Sequence, residues 1–304
     1  MADGSRALVM EADAAAAEAA REAKAEVLER AAVTIESSAS LPRPARSART
    51  RAKPEWSEFK VDVWITSFNS IEFGIYKHSR NRAKSRQFTS DMDVFAEVIE
   101  NGERTGLLGY REDLWTKNTG MDKRLVFKLF NETVNWRATM DLMIGRSLQL
   151  TLGARGLPVT CFSINVGDHD SVVYLERSAN KWPLLPENFS FFLLDEGKPR
   201  FYRLRRDLID FGGDYTLYDQ HNQAIGRLDG KVFSIGGKWY GRVKSEHADQ
   251  RLMIVLKFFC GMLIFNGDCR RHMRRLARDV RKGRYEPKLE KQEADLYMNP
   301  RRVR

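Results

Sequence analysis

From Trp56 onward, apolar residues recur mainly with period two. Phe59, Val61 and Val63 alternate with polar neighbours, and Ile71, Phe73 and Ile75 do the same. Residues 94–99 run into Glu100-Asn101-Gly102-Glu103, a turn sequence suited to positive φ. The same alternation predicts strands over 125–130, 148–152, 159–164, 172–175, 189–194, 201–204, 215–218, 224–228, 232–235 and 238–243. Short strands spaced so evenly point to an antiparallel barrel or sandwich, not to alternating parallel β-α units. Three stretches, 97–109, 191–202 and 217–226, share a strand, acidic or Asn/Gly turn, strand order. The likeness is that of hairpins in a meander.

Near the C-terminus the period changes. The run from Leu252 to Phe265 is apolar almost all round and reads as a buried helix ending at Asn266-Gly267-Asp268. Lys257 interrupts it, and it falls short of the roughly 20 uninterrupted apolar residues that cross a bilayer. Met273, Leu276, Ala277 and Val280 then form the apolar stripe of a second, basic amphipathic helix, with Gly283 as its stop signal. At the other end, residues 1–36 are rich in Ala, Glu, Arg and Lys and predict a solvated helical arm, a spacer or a partner-binding helix. Residues 37–54 bring Ser, Pro and bases without acids and predict a flexible basic linker. The expected order is arm 1–36, linker 37–54, β-rich domain 55–268 and basic helix with tail 269–304.

Composition narrows the classes. The chain has 304 residues, 42% of them apolar, which is ample for a packed core. Acids stand at Asp3, Glu11 and Asp13, where a secretory leader needs bases, and the thiols are Cys161, Cys260 and Cys269. A reducing, cytoplasmic setting is expected, peripheral to a membrane. The net charge of +10 is uneven: residues 270–304 hold thirteen bases against five acids, so the tail carries +8 of it.

The turn Asp219-Gln220-His221-Asn222-Gln223-Ala224-Ile225-Gly226-Arg227-Leu228, the strand ending at Trp239-Tyr240-Gly241-Arg242-Val243 and the apolar run 252–265 resemble the closing section of the tubby C-terminal-like superfamily, which includes phospholipid scramblases and LURP-one-related proteins. The resemblance covers about 60 residues of the C-terminal part. It implies a closed antiparallel barrel threaded by a hydrophobic helix and a role in contacting phosphoinositide or phospholipid. Asn222 stands where the superfamily's turn has Gly, and the basic helix after Phe265 is an addition.

Candidate chemistry is sparse. Asp168-His169-Asp170 after Gly167 is the best acid/base or metal-like cluster, yet it lacks a second His or Cys at ligand spacing and reads as a turn. Cys269 and His272 would share a helix face, but two ligands do not make a zinc site. Neither a nucleophile elbow nor a phosphate loop occurs. No catalytic residue, metal or cofactor is therefore assigned. The expected anion-binding residues are Arg270, Arg271, Arg274, Arg275, Arg278, Arg281 and Lys282, with a second basic patch at Lys77, Arg80, Arg82, Lys84 and Arg86. Such surfaces attract lipid phosphates or, in the alternative reading, RNA or DNA. The expectation is a non-enzymatic binding or adaptor module for anionic phospholipid, with nucleic acid as the alternative partner and an enzyme built on Asp168, His169 and Asp170 last.

Overall fold

Strands whose alternate side chains are apolar must turn those faces to one interior. In the computed structural model, which describes residues 55–63, 92–180, 186–207, 213–231, 237–288 and 293, they do so by closing on themselves. The strands are β1 (Trp56–Val63), β2 (Met92–Glu100), β3 (Glu103–Arg111), β4 (Val126–Asn131), β5 (Trp136–Leu142), β6 (Cys161–Val166), β7 (Val173–Arg177), β8 (Asn188–Asp195), β9 (Lys198–Arg206), β10 (Tyr215–Tyr218), β11 (Ala224–Lys231) and β12 (Lys238–Lys244). Each is antiparallel to its neighbour in sequence, and β1 pairs with β12, giving a closed barrel of twelve strands among the described residues. The sandwich, which would leave edge strands open, is not formed.

Closure depends on a local fit. At the β1–β12 seam Phe59 lies opposite Gly241, and a Cβ on Gly241 would sit 2.2 Å from the Phe59 ring. Glycine is thus required there to admit the aromatic. The hairpin turns follow the expected chemistry: Asn101 and Gly102 have φ of 53° and 81°, and Asn222 has 60°. Asn222 can replace glycine in its turn because asparagine tolerates the left-handed region, and Asp219 Oδ1 braces that turn by accepting from the His221 and Gln223 N–H groups at 2.9 and 2.8 Å.

Among the described residues three α-helices accompany the strands: α1 (Glu112–Thr116), α2 (Ile144–Gly153) and α3 (Gln250–Arg281). Helix α3 fills the barrel. Its 18-residue apolar window is long enough to cross a membrane by length and composition, and 72% of that window is buried inside the barrel. Leu252, Val255, Leu256, Phe259, Cys260 and Met262 are fully buried, and Phe259 meets Phe189 and Tyr215 edge-on at 4.9 and 5.0 Å. Asp249 caps the helix by accepting from Arg251 N–H at 2.6 Å.

Several expectations are corrected. The predicted helix end at Asn266-Gly267-Asp268 does not occur; α3 continues unbroken to Arg281, so the apolar and basic helices are one. Asn266 is buried there with its amide nitrogen donating to Glu187, so a polar residue is accommodated without a break in the helix. Residues 148–152 are helical in α2 and not a strand. Burial of Ile144, Ser147, Leu148 and Thr151 follows the helical period, which a five-residue alternation had concealed. Strand β5 and helix α1 were not anticipated. The strands expected at 71–75 and 232–235, the arm, the linker and the second basic patch Lys77, Arg80, Arg82, Lys84 and Arg86 lie outside the described residues.

Placing a carboxylate in this core strands an unpaired charge, at a cost of several kcal/mol against a typical stability of about 5–15 kcal/mol. Phe259→Asp is expected to abolish the cooperative thermal transition, monitored by circular dichroism.

Candidate anion-binding surface

Just past Phe265, α3 brings a buried polar side chain, Asn266, up to a buried carboxylate, Glu187. Asn266 donates to both oxygens of Glu187 at 3.1 Å, Tyr215 Oη donates to Glu187 at 2.8 Å, and Arg177 Nε donates to the same carboxylate. Arg270 of the next turn lies 3.7 Å from Glu187. Arg177 is 3% exposed and also donates to the Pro158 carbonyl at 2.8 Å. Burial pushes the Glu187 carboxyl up, but the Arg177 guanidinium and the hydrogen bonds from Arg177, Asn266 and Tyr215 outweigh it and hold the group below the ordinary glutamate range. Burial, with Arg177 alongside, lowers Arg270 against the pull of Glu187. None of this network was anticipated. Its members are scattered from 177 to 270, and the available signal was an arginine in an inward slot of β7.

At about 100° per residue, Arg270, Arg281, Arg274, Arg278, Arg271, Lys282 and Arg275 fall within an arc of about 140° on α3 and just past its end. The opposite face, Cys269, His272, Met273, Leu276 and Ala277, is buried. The expected residues thus come together, but they are not equivalent. Arg270 is held by Glu187 and Arg271 pairs with Asp268. Arg281 donates to the Leu152 and Arg155 carbonyls at 3.1 and 3.2 Å, closing the C-terminal end of α2. Arg274, Arg275, Arg278 and Lys282 are exposed, and their side chains have no ion pair or hydrogen bond among the described residues. Lys123, lying 4.3 Å over the Trp115 ring, adds charge beside Arg275.

The arc sits on a rigid base. Tyr285 Oη accepts from Met121 N–H at 3.2 Å, and Lys288 pairs with Asp122 at 2.6 Å. Glu293 accepts from the N–H groups of Gly145 and Arg146 at 2.9 and 2.6 Å, capping the start of α2. His272 lies buried under the arc against the edge of Trp115, and burial, then Lys123 and Arg275, lower its pKa to about 4.

The remaining candidates are dispersed. Asp168, His169 and Asp170 form the β6–β7 turn, where Asp168 pairs with Arg137 at 3.5 Å. Cys269 and His272 both face the core. Among the described residues no group of three or more His, Cys, Asp or Glu is placed to hold a metal ion. Comparison of the chain with protein-family models, with curated proteins and with solved structures finds no match.

Two outcomes follow from the buried charges. Glu187→Gln leaves Arg177 without its counter-charge and is expected to cost about 3–5 kcal/mol in urea unfolding. His272 is harder to protonate in the native state than in the unfolded chain, where its ordinary value is 6.5. The unfolded chain therefore takes up the proton first, and stability falls as pH drops from about 6.5 to about 4, by roughly 3 kcal/mol. Urea midpoints across that window are expected to flatten in His272→Gln.

Proposed function

We propose that this protein is a non-enzymatic binding or adaptor module that docks on anionic phospholipid, phosphoinositide headgroups included, as a peripheral protein of a cytoplasmic membrane face. The observation that carries this reading is the group Arg274, Arg275, Arg278 and Lys282, exposed and without acidic partners among the described residues. A solvated helix face ordinarily intersperses acids with bases; here the acids, Asp268 and Asp279, stand at the border of the arc and pair with Arg271 and Arg284. Unneutralised bases close to an anionic membrane contribute about 1 kcal/mol each. The reading is supported further by the closed barrel around an apolar helix, the architecture implied by the resemblance to the tubby C-terminal-like superfamily.

Reversing Arg274, Arg275 and Arg278 to Glu removes three attractive charges and adds three repulsive ones, so vesicle binding should weaken by at least about a hundredfold. The melting temperature should stay close to that of the wild type, because the three side chains hold no other group among the described residues. Flotation with phosphatidylserine or phosphoinositide vesicles is run over a salt series beside filter binding of RNA and DNA. Retention by vesicles, lost in the variant, supports the proposal. Retention by nucleic acid alone replaces it with the nucleic-acid reading, and retention by neither near physiological salt removes both.

A further inference from the structure

The outer face of one hairpin is apolar where solvent meets it. In β8 and β9, Phe191, Leu193, Tyr202 and Leu204 point into the barrel and are buried, while Phe192, Leu194 and Phe201 are 44%, 39% and 46% exposed. Register sets Phe192 opposite Phe201 and Leu194 opposite the exposed Pro199, so the four side chains form one wedge next to the Glu196-Gly197 turn. Both turn residues have positive φ, 49° and 79°, which gives a tight two-residue tip. The hairpin is also anchored. Arg251, in the first turn of α3, donates to the Leu194 carbonyl and pairs with Asp195 at 3.4 Å.

The surroundings of the wedge are basic. Residues 188–206 hold five bases, Lys198, Arg200, Arg203, Arg205 and Arg206, against two acids, Asp195 and Glu196. Asp195 is neutralised by Arg200 and Arg251. Arg203 lies 5.1 Å over the Tyr218 ring and bonds to the Asn222 amide oxygen, not to an acid. The bases of β9 lead back to Arg206, whose N–H donates to the Glu187 carbonyl at 2.8 Å, and Glu187 in turn holds Arg270 at the start of the α3 arc.

We infer that the β8–β9 hairpin is a membrane-inserting wedge, with Phe192, Leu194, Pro199 and Phe201 entering the headgroup and acyl boundary of an anionic bilayer while Lys198, Arg203 and Arg205 contact lipid phosphates. The chemistry favours this occupant over others. A second copy of the chain brings the same excess of positive charge against itself. A nucleic-acid strand stacks on aromatic rings but gains little from Leu194 and Pro199. Apolar side chains ringed by Lys and Arg are the composition that partitions about 5–10 Å into a bilayer surface. The inference rests on the lipid-docking reading above and adds a second contact, since the wedge lies near the start of α3 and Arg274 about 35 Å further along it.

The test places an environment-sensitive fluorophore on Leu194→Cys. Cys161, Cys260 and Cys269 are buried, so the label reports the hairpin. With vesicles of phosphatidylcholine and phosphatidylserine, emission is expected to shift to the blue and to be quenched by lipids spin-labelled near the headgroup. Phe192→Ser with Phe201→Ser is expected to weaken vesicle binding about tenfold or more while keeping the wild-type melting curve. Sedimentation with vesicles without a shift, or unchanged affinity of the double serine variant, overturns the wedge and leaves the docking proposal standing. Absence of sedimentation overturns both. A shift without vesicles that grows with protein concentration and doubles the mass identifies a second copy as the occupant, and a shift with a single-stranded oligonucleotide but not with vesicles identifies nucleic acid. Either result also overturns the inference.

Discussion

A helix that is apolar on every side cannot rest on a sheet, because one face would remain in water. The segment of α3 from Leu252 to Phe265 imposes that constraint, and the twelve-stranded barrel satisfies it by supplying apolar side chains around the whole circumference. A barrel of about eight strands has an interior filled by its own side chains. A helix about 10 Å across needs more wall, and it needs the wall to close. Closure also removes the sheet edges that would otherwise offer unpaired backbone to other chains. The details serve the same end: Gly241 yields to the Phe59 ring at the seam, and Gly261 lets the helix pass Leu108, whose Cδ1 lies 2.9 Å from where a Cβ would be.

Where α3 emerges, the balance of forces changes within one turn. Phe265 still packs against Phe95, Tyr110 and Phe127, whereas Asn266 already bonds to Glu187. The carboxylate stays charged because several donors converge on it, and the buried Arg177 is tolerated because that carboxylate is there. One helix therefore serves as the core of the barrel and as the support of the basic arc. Arg274, Arg275 and Arg278 stand on an element held along its length, so like charges are kept together without the ordering cost that a flexible tail would incur on binding.

The two surfaces singled out by chemistry differ in kind. The α3 arc is charge without apolar area, suited to attraction at a distance and sensitive to salt. The β8–β9 wedge is apolar area with a basic border, suited to holding at contact. In the proposed docking on lipid, charge supplies encounter and burial supplies retention.

Much of the architecture was readable along the chain because period-two alternation and an all-round apolar run are local patterns. They predicted most of the strands, the hairpin turns and the buried helix, and the density of arginines after Asn266 marked the arc. Residues 148–152 misled because Leu-Gln-Leu-Thr-Leu alternates over too short a window to separate a strand from a helix face. Phe191 to Leu194, four apolar residues in a row, could not reveal which two face water; the pairing with β9 decides that. The meeting of Arg177, Glu187, Tyr215, Asn266 and Arg270 is likewise a product of the fold, as is the difference between Arg281, tied to α2, and Arg278, left open. By itself the sequence determined most of the strands, the apolar run of α3 and the sign of the surface, since these depend on neighbours along the chain. Closure of the barrel, continuity of α3 and the pairing of individual charges were decided only in the tertiary structure, where groups distant in sequence compete for burial and for the same hydrogen bonds.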